Sequence, residues 1–366
     1  MNLTEDCYVP SLRWRQAEFQ ALFRLRQEVK DRIVPLLTIP PLEFDFETNE
    51  FKKSVHEHVY SFANKFDVKW GARPAWIGFD QSIVDEHMDD GTHVYEHVFA
   101  GLRFNGANCV PAVPLALAPD TLAAVRYVVT TDGNGVGIVL SFEDLMGTDL
   151  RDAVDTFAYH LDASPDKIDV IVDLGAPNFE PYDVFANVLS AAFGGLGDLG
   201  RFRNFVLIAT AYPKSFADIA KGTDAIPRHD WLFYQRLLAR LPTSMRRPVY
   251  GDHTIVHPSF VATDMRRRKP AGKVAYTTPT SWVTRKGGAF MDNREQMHEH
   301  CTKIVADEEF GFRGAGFSYG DEYIQKCAAR TESPSNLGRW KNVGINHHLT
   351  SVVDDLASLF GSPSPP

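Results

Sequence analysis

Cysteine is scarce in these 366 residues. Cys7, Cys109, Cys301 and Cys327 are scattered, with no CxxC pair, which argues against a disulfide framework and makes a reducing compartment the simplest expectation. No apolar run approaches the roughly 20 residues needed to span a bilayer. The opening MNLTEDCYVP lacks the basic region and apolar stretch of a signal peptide. A cytoplasmic protein with no membrane partner is therefore expected. Positive charge is also short: the formal net charge of −9 provides no general attraction for phosphate backbones. A nucleic-acid partner would need a local patch. The one basic run, Arg266, Arg267, Arg268 and Lys269, lies between turn signals and reads first as a solvated loop. No Walker A sequence is present.

The chain does have enough apolar residue, 44% hydrophobic against 23% charged, to bury a real core as one large domain or two. Short apolar runs rich in β-branched residues alternate with longer amphipathic stretches, the pattern of parallel strands linked by crossover helices. Eight strands are predicted: Tyr8 to Leu12, Ile33 to Ile39, Ala75 to Asp80, Cys109 to Leu115, Val136 to Leu140, Ile168 to Leu174, Phe205 to Thr210 and Val249 to Asp252. Between them, sets such as Leu150, Val154, Phe157 and Leu161 carry helical spacing. Eight uninterrupted units fit a closed (β/α)8 TIM-like barrel, because the first strand then has the eighth as its partner. Pro10, Pro35, Pro111 and Pro114 inside proposed strands speak against it, since each lacks a ladder donor. An open α/β sheet is the structural alternative.

After Asp252 the rhythm changes. Lys273 to Thr284 reads as extended, Met291 to Ala306 and Leu349 to Phe360 as helical, with the glycine-rich GFRGAGFSYGD between. The expected organisation is a barrel over residues 1–262 and a C-terminal α+β extension over 263–366 packed on it.

In a barrel, chemistry collects at the C-terminal strand ends. These ends offer Arg13 and Arg15, Glu43 and Asp45, Asp80, Glu143 and Asp144, Asp173, Tyr212 and Lys214, then Asp252 with His253. Asp80, Asp173 and Asp252 each close an apolar run, a placement that suits a metal ligand or a proton carrier. The plainer role of such an Asp is to cap the next helix or pair with an arginine. His93, Glu96 and His97 form H-x-x-E-H, the spacing of an inverted zinc-protease motif, but no third ligand is evident and a polar helix face explains it equally. Gly316, Ser318 and Gly320 match the G-x-S-x-G of a nucleophilic serine; a structural glycine turn is the commoner meaning. Gly195, Gly197 and Gly200 spell G-x-G-x-x-G in the wrong order, after a helix and before a strand, and carry no dinucleotide reading. His347 and His348 stand near Arg339, Trp340 and Lys341, in a segment able to bind anions or stack on rings. One histidine is expected to cap or pack there and the other to meet solvent.

Several blocks, YVPSLRWRQAEFQAL, VPLLTIPP, FRGAGFSYGDEYI and RWKNVGINHHLTSVV, together resemble the beta protein family of phages and bacterial mobile elements, from Tyr8 to about Val353. The likeness includes Tyr8, Val9, Pro10, Glu18, Pro35, Asp173, Gly251, Asp252, Ser318, Gly320, Asp321, Trp340, His347 and His348. The chain departs from the pattern at Arg13, where the family carries lysine, and at His253, where it carries tyrosine. The resemblance implies a bacterial or phage origin and a part in phage and host conflict, but transfers no chemistry. With it, the candidate catalytic residues are Asp173, Asp252, Glu18, Ser318 and His347. The candidate binding residues are Arg13, Arg15, Asp80, His253, Asp321, Arg339, Trp340 and His348. The tail is expected to fold over the barrel mouth and bring its polar residues beside Arg13 and Glu18. Two functions compete. One is a recognition or sensor component for antiviral defence, with a phage protein or nucleic acid as partner. The other is a hydrolase or lyase, assisted by a divalent metal, acting on a phosphorylated or nucleotide-like substrate.

Overall fold

The computed structural model describes residues 1–259 and 269–364. Arg266, Arg267 and Arg268 of the basic run lie outside the described residues, and Lys269 pairs with Asp292 at 3.3 Å. The chain forms two compact units. One comprises Met1–Trp14, Val34–Ala209 and Phe233–Asp252, the other Arg15–Ile33, Thr210–Leu232 and His253–Pro366.

In the first unit eight parallel strands close a barrel: β1 (Val9–Arg13), β2 (Leu36–Ile39), β3 (Ala75–Phe79), β4 (Cys109–Pro114), β5 (Val136–Ser141), β6 (Ile168–Asp173), β7 (Asn204–Ala209) and β8 (Val249–Asp252). They follow one another around the barrel in chain order, and β8 returns to β1 with Val9 opposite Gly251. That pairing removes the open-sheet alternative. The prolines are tolerated because each forfeits only a donor and keeps its carbonyl. Pro35 lies just before β2 and its oxygen accepts from the Trp76 amide at 3.0 Å. The amphipathic reading of Leu150, Val154 and Phe157 holds, all three being buried on the helix Leu150–His160.

Alternate residues of the strands meet in one interior cluster: Val9, Leu36, Trp76, Val110, Ala112, Ile171, Val206, Ile208 and Val249. Each buried aliphatic side chain there contributes about 1.5–3 kcal/mol. On β5 the matching position is Gly137, where an added Cβ would lie 2.8 Å from the Trp76 ring; the indole takes the space that β5 leaves empty. Beneath it, fully buried Asp169 accepts from Trp76 Nε1 at 2.7 Å, Arg203 Nε at 2.7 Å and Asn204 Nδ2 at 2.6 Å. The barrel floor is thus a closed polar network, with no part in the strand-end chemistry.

In the second unit the strand Ser281–Ala289 pairs antiparallel with Gly222–Pro227 on one side and Ala271–Thr277 on the other. Helices Gln296–Ala306, Tyr319–Ala328 and Leu337–Phe360 follow in the chain. Val274, Tyr276, Met297, Cys301, Ile324, Cys327 and Val343 are among its core residues. The last helix starts twelve residues before the expected Leu349, capped by the Asn336 side chain accepting from the Arg339 amide at 3.0 Å. Its polar stretch through Asn346, His347 and His348 carries no helical apolar signal, yet every one of these side chains is buried. The helix Gln16–Phe23 joins this unit: Asn342 and Asn346 donate to the carbonyls of Ala17 and Ala21 at 3.1 and 3.0 Å. Gly320 permits a close helix contact, since a Cβ there would sit 2.4 Å from the Val343 carbonyl oxygen.

Candidate functional site

Strand alternation decides which strand-end residues reach the barrel mouth. Val249 belongs to the interior cluster, and an added Cβ on Gly251 would lie 2.7 Å from Ile208 Cγ1, so these two face inward. Tyr250 and Asp252 therefore face out of the barrel. The fully buried Asp252 carboxylate accepts from Tyr250 OH at 3.0 Å and, in a short bond, from Tyr8 OH. Tyr8 stacks on Tyr250 with centroids 6.1 Å apart. By the same count Asp173 continues the inward face of Asp169 and Ile171. Asp173 and Asp252 thus stand on opposite faces of the barrel wall and do not form a two-carboxylate site.

The inward face continues upward through Ser11 and Arg13 on β1, Thr38 on β2, Ser141 on β5 and Asp173 on β6, all half-buried. Arg13 and Asp173 are charges on it, and half-buried Asp80, just past β3, continues the same face after Trp76 and Gly78. Asp173 Oδ1 accepts from the Gly175 amide at 2.9 Å, Asp80 Oδ1 from the Ser82 amide at 3.1 Å, and Ser141 Oγ from the Asp144 amide at 3.1 Å. These are turn and helix caps, the plainer of the two roles expected for strand-end polar groups.

The tail residues meet in the second unit. Asp321, fully buried, accepts from Tyr276 OH at 2.7 Å, Ser318 Oγ at 2.5 Å and His347 Nδ1 at 2.8 Å, while His347 Nε2 faces the Thr277 carbonyl at 2.9 Å. Ser351 Oγ also lies 3.3 Å from Nε2, so both ring nitrogens are engaged. Burial pushes the Asp321 carboxyl up, but His347, Ser318 and Tyr276 more than offset this and hold it below its usual value. The Tyr276 phenol is raised by burial and by the Asp321 charge, and its ring stacks on His347 at 3.8 Å.

Ser318 Oγ bonds to Asp321 and caps the helix Tyr319–Ala328, so the serine is held by a carboxylate rather than activated by His347. His348 is buried as well, its Nδ1 3.0 Å from Thr277 Oγ1, which corrects the expectation that one of the two histidines meets solvent. Glu18, 1% exposed, pairs with Lys341 at 2.8 Å. Trp340 donates to the Pro334 carbonyl at 2.7 Å, Arg339 to Tyr319 OH at 2.8 Å, and half-buried Arg15 precedes the helix Gln16–Phe23. His253 is buried. In H-x-x-E-H, His93 lies before its helix and caps it, accepting from the Tyr95 amide at 3.2 Å, so the two imidazoles do not share a helix face. Among the described residues no group of three or more His, Cys, Asp or Glu side chains is placed to hold a metal ion.

Tyr276, Thr277, Tyr250 and Asp169 were not singled out from the sequence; they read as ordinary strand residues, and only the partners that fold against them mark them. Lys273 was also missed. It lies 3.1 Å over the Phe216 ring, and burial, with Lys286 and Lys341, brings its amine from 10.5 to about 7. Because the folded amine sheds its proton first, its effect on stability becomes more favourable as pH rises from about 7 to 10.5. With a limiting dose of an acylating reagent at neutral pH, mass spectrometry is expected to find Lys273 modified ahead of the exposed Lys53 and Lys65. Modification in order of exposure would show that the amine stays charged.

No helix among the described residues is long and apolar enough to cross a membrane. The family described as Beta protein matches residues 8–354. No curated protein matches. Among solved structures the chain is similar to triosephosphate isomerase from Bartonella henselae, at 10% identity and a TM-score of 0.34, over 67% of this chain and 90% of that one.

Proposed function

Since the chain belongs to the beta protein family, we propose that it is a recognition component in the conflict between phages and their bacterial hosts, with the barrel mouth as its reading surface. The observation that supports this most is the orientation of Asp252. A carboxylate turned out of the barrel and held by two tyrosine hydroxyls is committed to packing, as are Asp321 and His347 in the second unit. The mouth keeps Arg13 and Asp173 among small polar side chains, a surface suited to reading charge and hydrogen-bonding groups on a phage protein or nucleic acid.

The test is phage plating efficiency on a host expressing the chain, beside the Tm of each variant. Arg13→Ala and Asp173→Asn are expected to change plating at least tenfold with little change in Tm. Asp252→Asn loses charge-assisted bonds at a cost of about 1–3 kcal/mol. It is expected to lower Tm yet keep the plating effect wherever it remains folded. Loss of the effect in a folded Asp252→Asn protein would sink the reading. The metal-assisted hydrolase reading retains Arg13 and Asp173, a guanidinium and a carboxylate on one inward face. A stoichiometric divalent ion, lost in Asp173→Asn, would favour it instead.

A further inference from the structure

In the second unit, the helices Gln16–Phe23 and Leu337–Phe360 border a cavity of about 230 Å³. Its wall carries two guanidiniums, Arg24 and Arg339, four carboxamides, Gln16, Gln20, Asn336 and Asn342, and no carboxylate. Arg24 and Arg339 also line an adjoining space of about 410 Å³ beside Tyr319 and Tyr323. In this outer space Glu322 pairs with Lys326, and Glu332 is the remaining acid.

The two arginines are positioned rather than neutralised. Arg24 lies 4.2 Å over the Tyr319 ring, Arg339 donates to the hydroxyl of that ring at 2.8 Å, and neither has a carboxylate partner among the described residues. One tyrosine therefore orients two positive forks across a single opening. The same opening holds the start of a 24-residue helix; the Arg339 amide is taken by the Asn336 cap, while the preceding amides of Leu337 and Gly338 have no intrahelical acceptor and favour an anion. Gly338, in that first turn, lines the cavity without a side chain to cover the backbone. On the inner wall the Asn342 Nδ2 is committed to Ala17, while its Oδ1 is buried with no hydrogen-bond partner. Guanidinium forks match phosphate oxygens two at a time, and carboxamides both donate to and accept from a hydroxylated ligand.

We propose that this cavity binds the phosphate group of a small phosphorylated molecule, with Arg24, Arg339 and the first turn of the Leu337–Phe360 helix holding the phosphate and the glutamines reading the polar group attached to it. The site lies entirely within the second unit and goes beyond the recognition reading of the mouth, so the two stand or fall separately.

The experiment is titration calorimetry of the full chain with inorganic phosphate, a nucleoside 5′-monophosphate and the same nucleoside without phosphate. These are repeated on Arg24→Gln/Arg339→Gln and on Gln20→Ala, with circular dichroism to confirm folding. The monophosphate is expected to bind and the nucleoside not, with Kd at least tenfold weaker in the arginine variant. Inorganic phosphate matching the monophosphate, with Gln20→Ala unaffected, would assign free phosphate as the ligand of the same site. A several-fold weakening in Gln20→Ala for the monophosphate alone would assign an ester. No phosphate-dependent binding to the folded wild type, or equal binding by the folded arginine variant, overturns the proposal. So does binding of single-stranded nucleic acid alone, without any to the mononucleotide.

Discussion

Asp169→Ala is expected to be among the most destabilising single substitutions in the barrel, by about 3–5 kcal/mol, seen as a fall in Tm of roughly 10 °C. The carboxylate accepts from Trp76, from Arg203 through both Nε and Nη2, and from Asn204, and its side chain is 0% exposed. Its removal leaves the Arg203 guanidinium, 7% exposed, as a buried charge without its counter-ion. Arg203 keeps its bond to the Asn134 carbonyl at 2.7 Å, which does not neutralise it. The double variant Asp169→Ala/Arg203→Ala is expected to lose less than the sum of the two single losses, because taking away both partners leaves no uncompensated charge. Denaturant unfolding of the four proteins measures this. Strict additivity would mean that the pair contributes nothing beyond its separate packing.

A loss of similar size, about 3–5 kcal/mol, is expected for Asp321→Ala. The substitution strands the Tyr276 and Ser318 hydroxyls and the His347 ring hydrogen inside the second unit, and unmet buried donors each cost about 1–3 kcal/mol. Asp321→Asn, which keeps an acceptor, should lose less. The interaction also carries a pH signature. The folded carboxyl sits below its usual value of 3.8, so its contribution is complete above that value and is lost as pH falls through the lower, folded one. Urea unfolding at a series of pH values is expected to show a constant gap between wild type and Asp321→Asn near neutrality. The gap should narrow below about pH 4. A gap that stays constant into acid would show that Asp321 does not bear the charge in this network.

The barrel was legible because a parallel strand buried on both faces must be apolar throughout. Runs such as Ile168 to Leu174 and Val249 to Asp252 therefore stand out against the amphipathic stretches between them, and eight in succession leave the first and last to pair. The second unit was legible in part. Its extended segment and the helix over Gln296–Ala306 showed, but the strand Gly222–Pro227 did not. Exposed at several positions and without an apolar run, it takes its form from pairing with Ser281–Ala289.

What the sequence determined by itself was the order, number and type of the barrel elements and the family signature, because these depend on local pattern and spacing along the chain. The role of each polar residue was decided by tertiary structure. In β8 every residue is buried, so no polar-apolar alternation tells which of Gly251 and Asp252 faces inward; barrel closure and the Ile208 side chain against Gly251 decide it. Asp321 finds His347 26 residues later and Tyr276 45 residues earlier, separations over which no sequence period operates. A carboxylate's chemistry depends on the donors around it and on its access to water. Both arise only when distant segments meet.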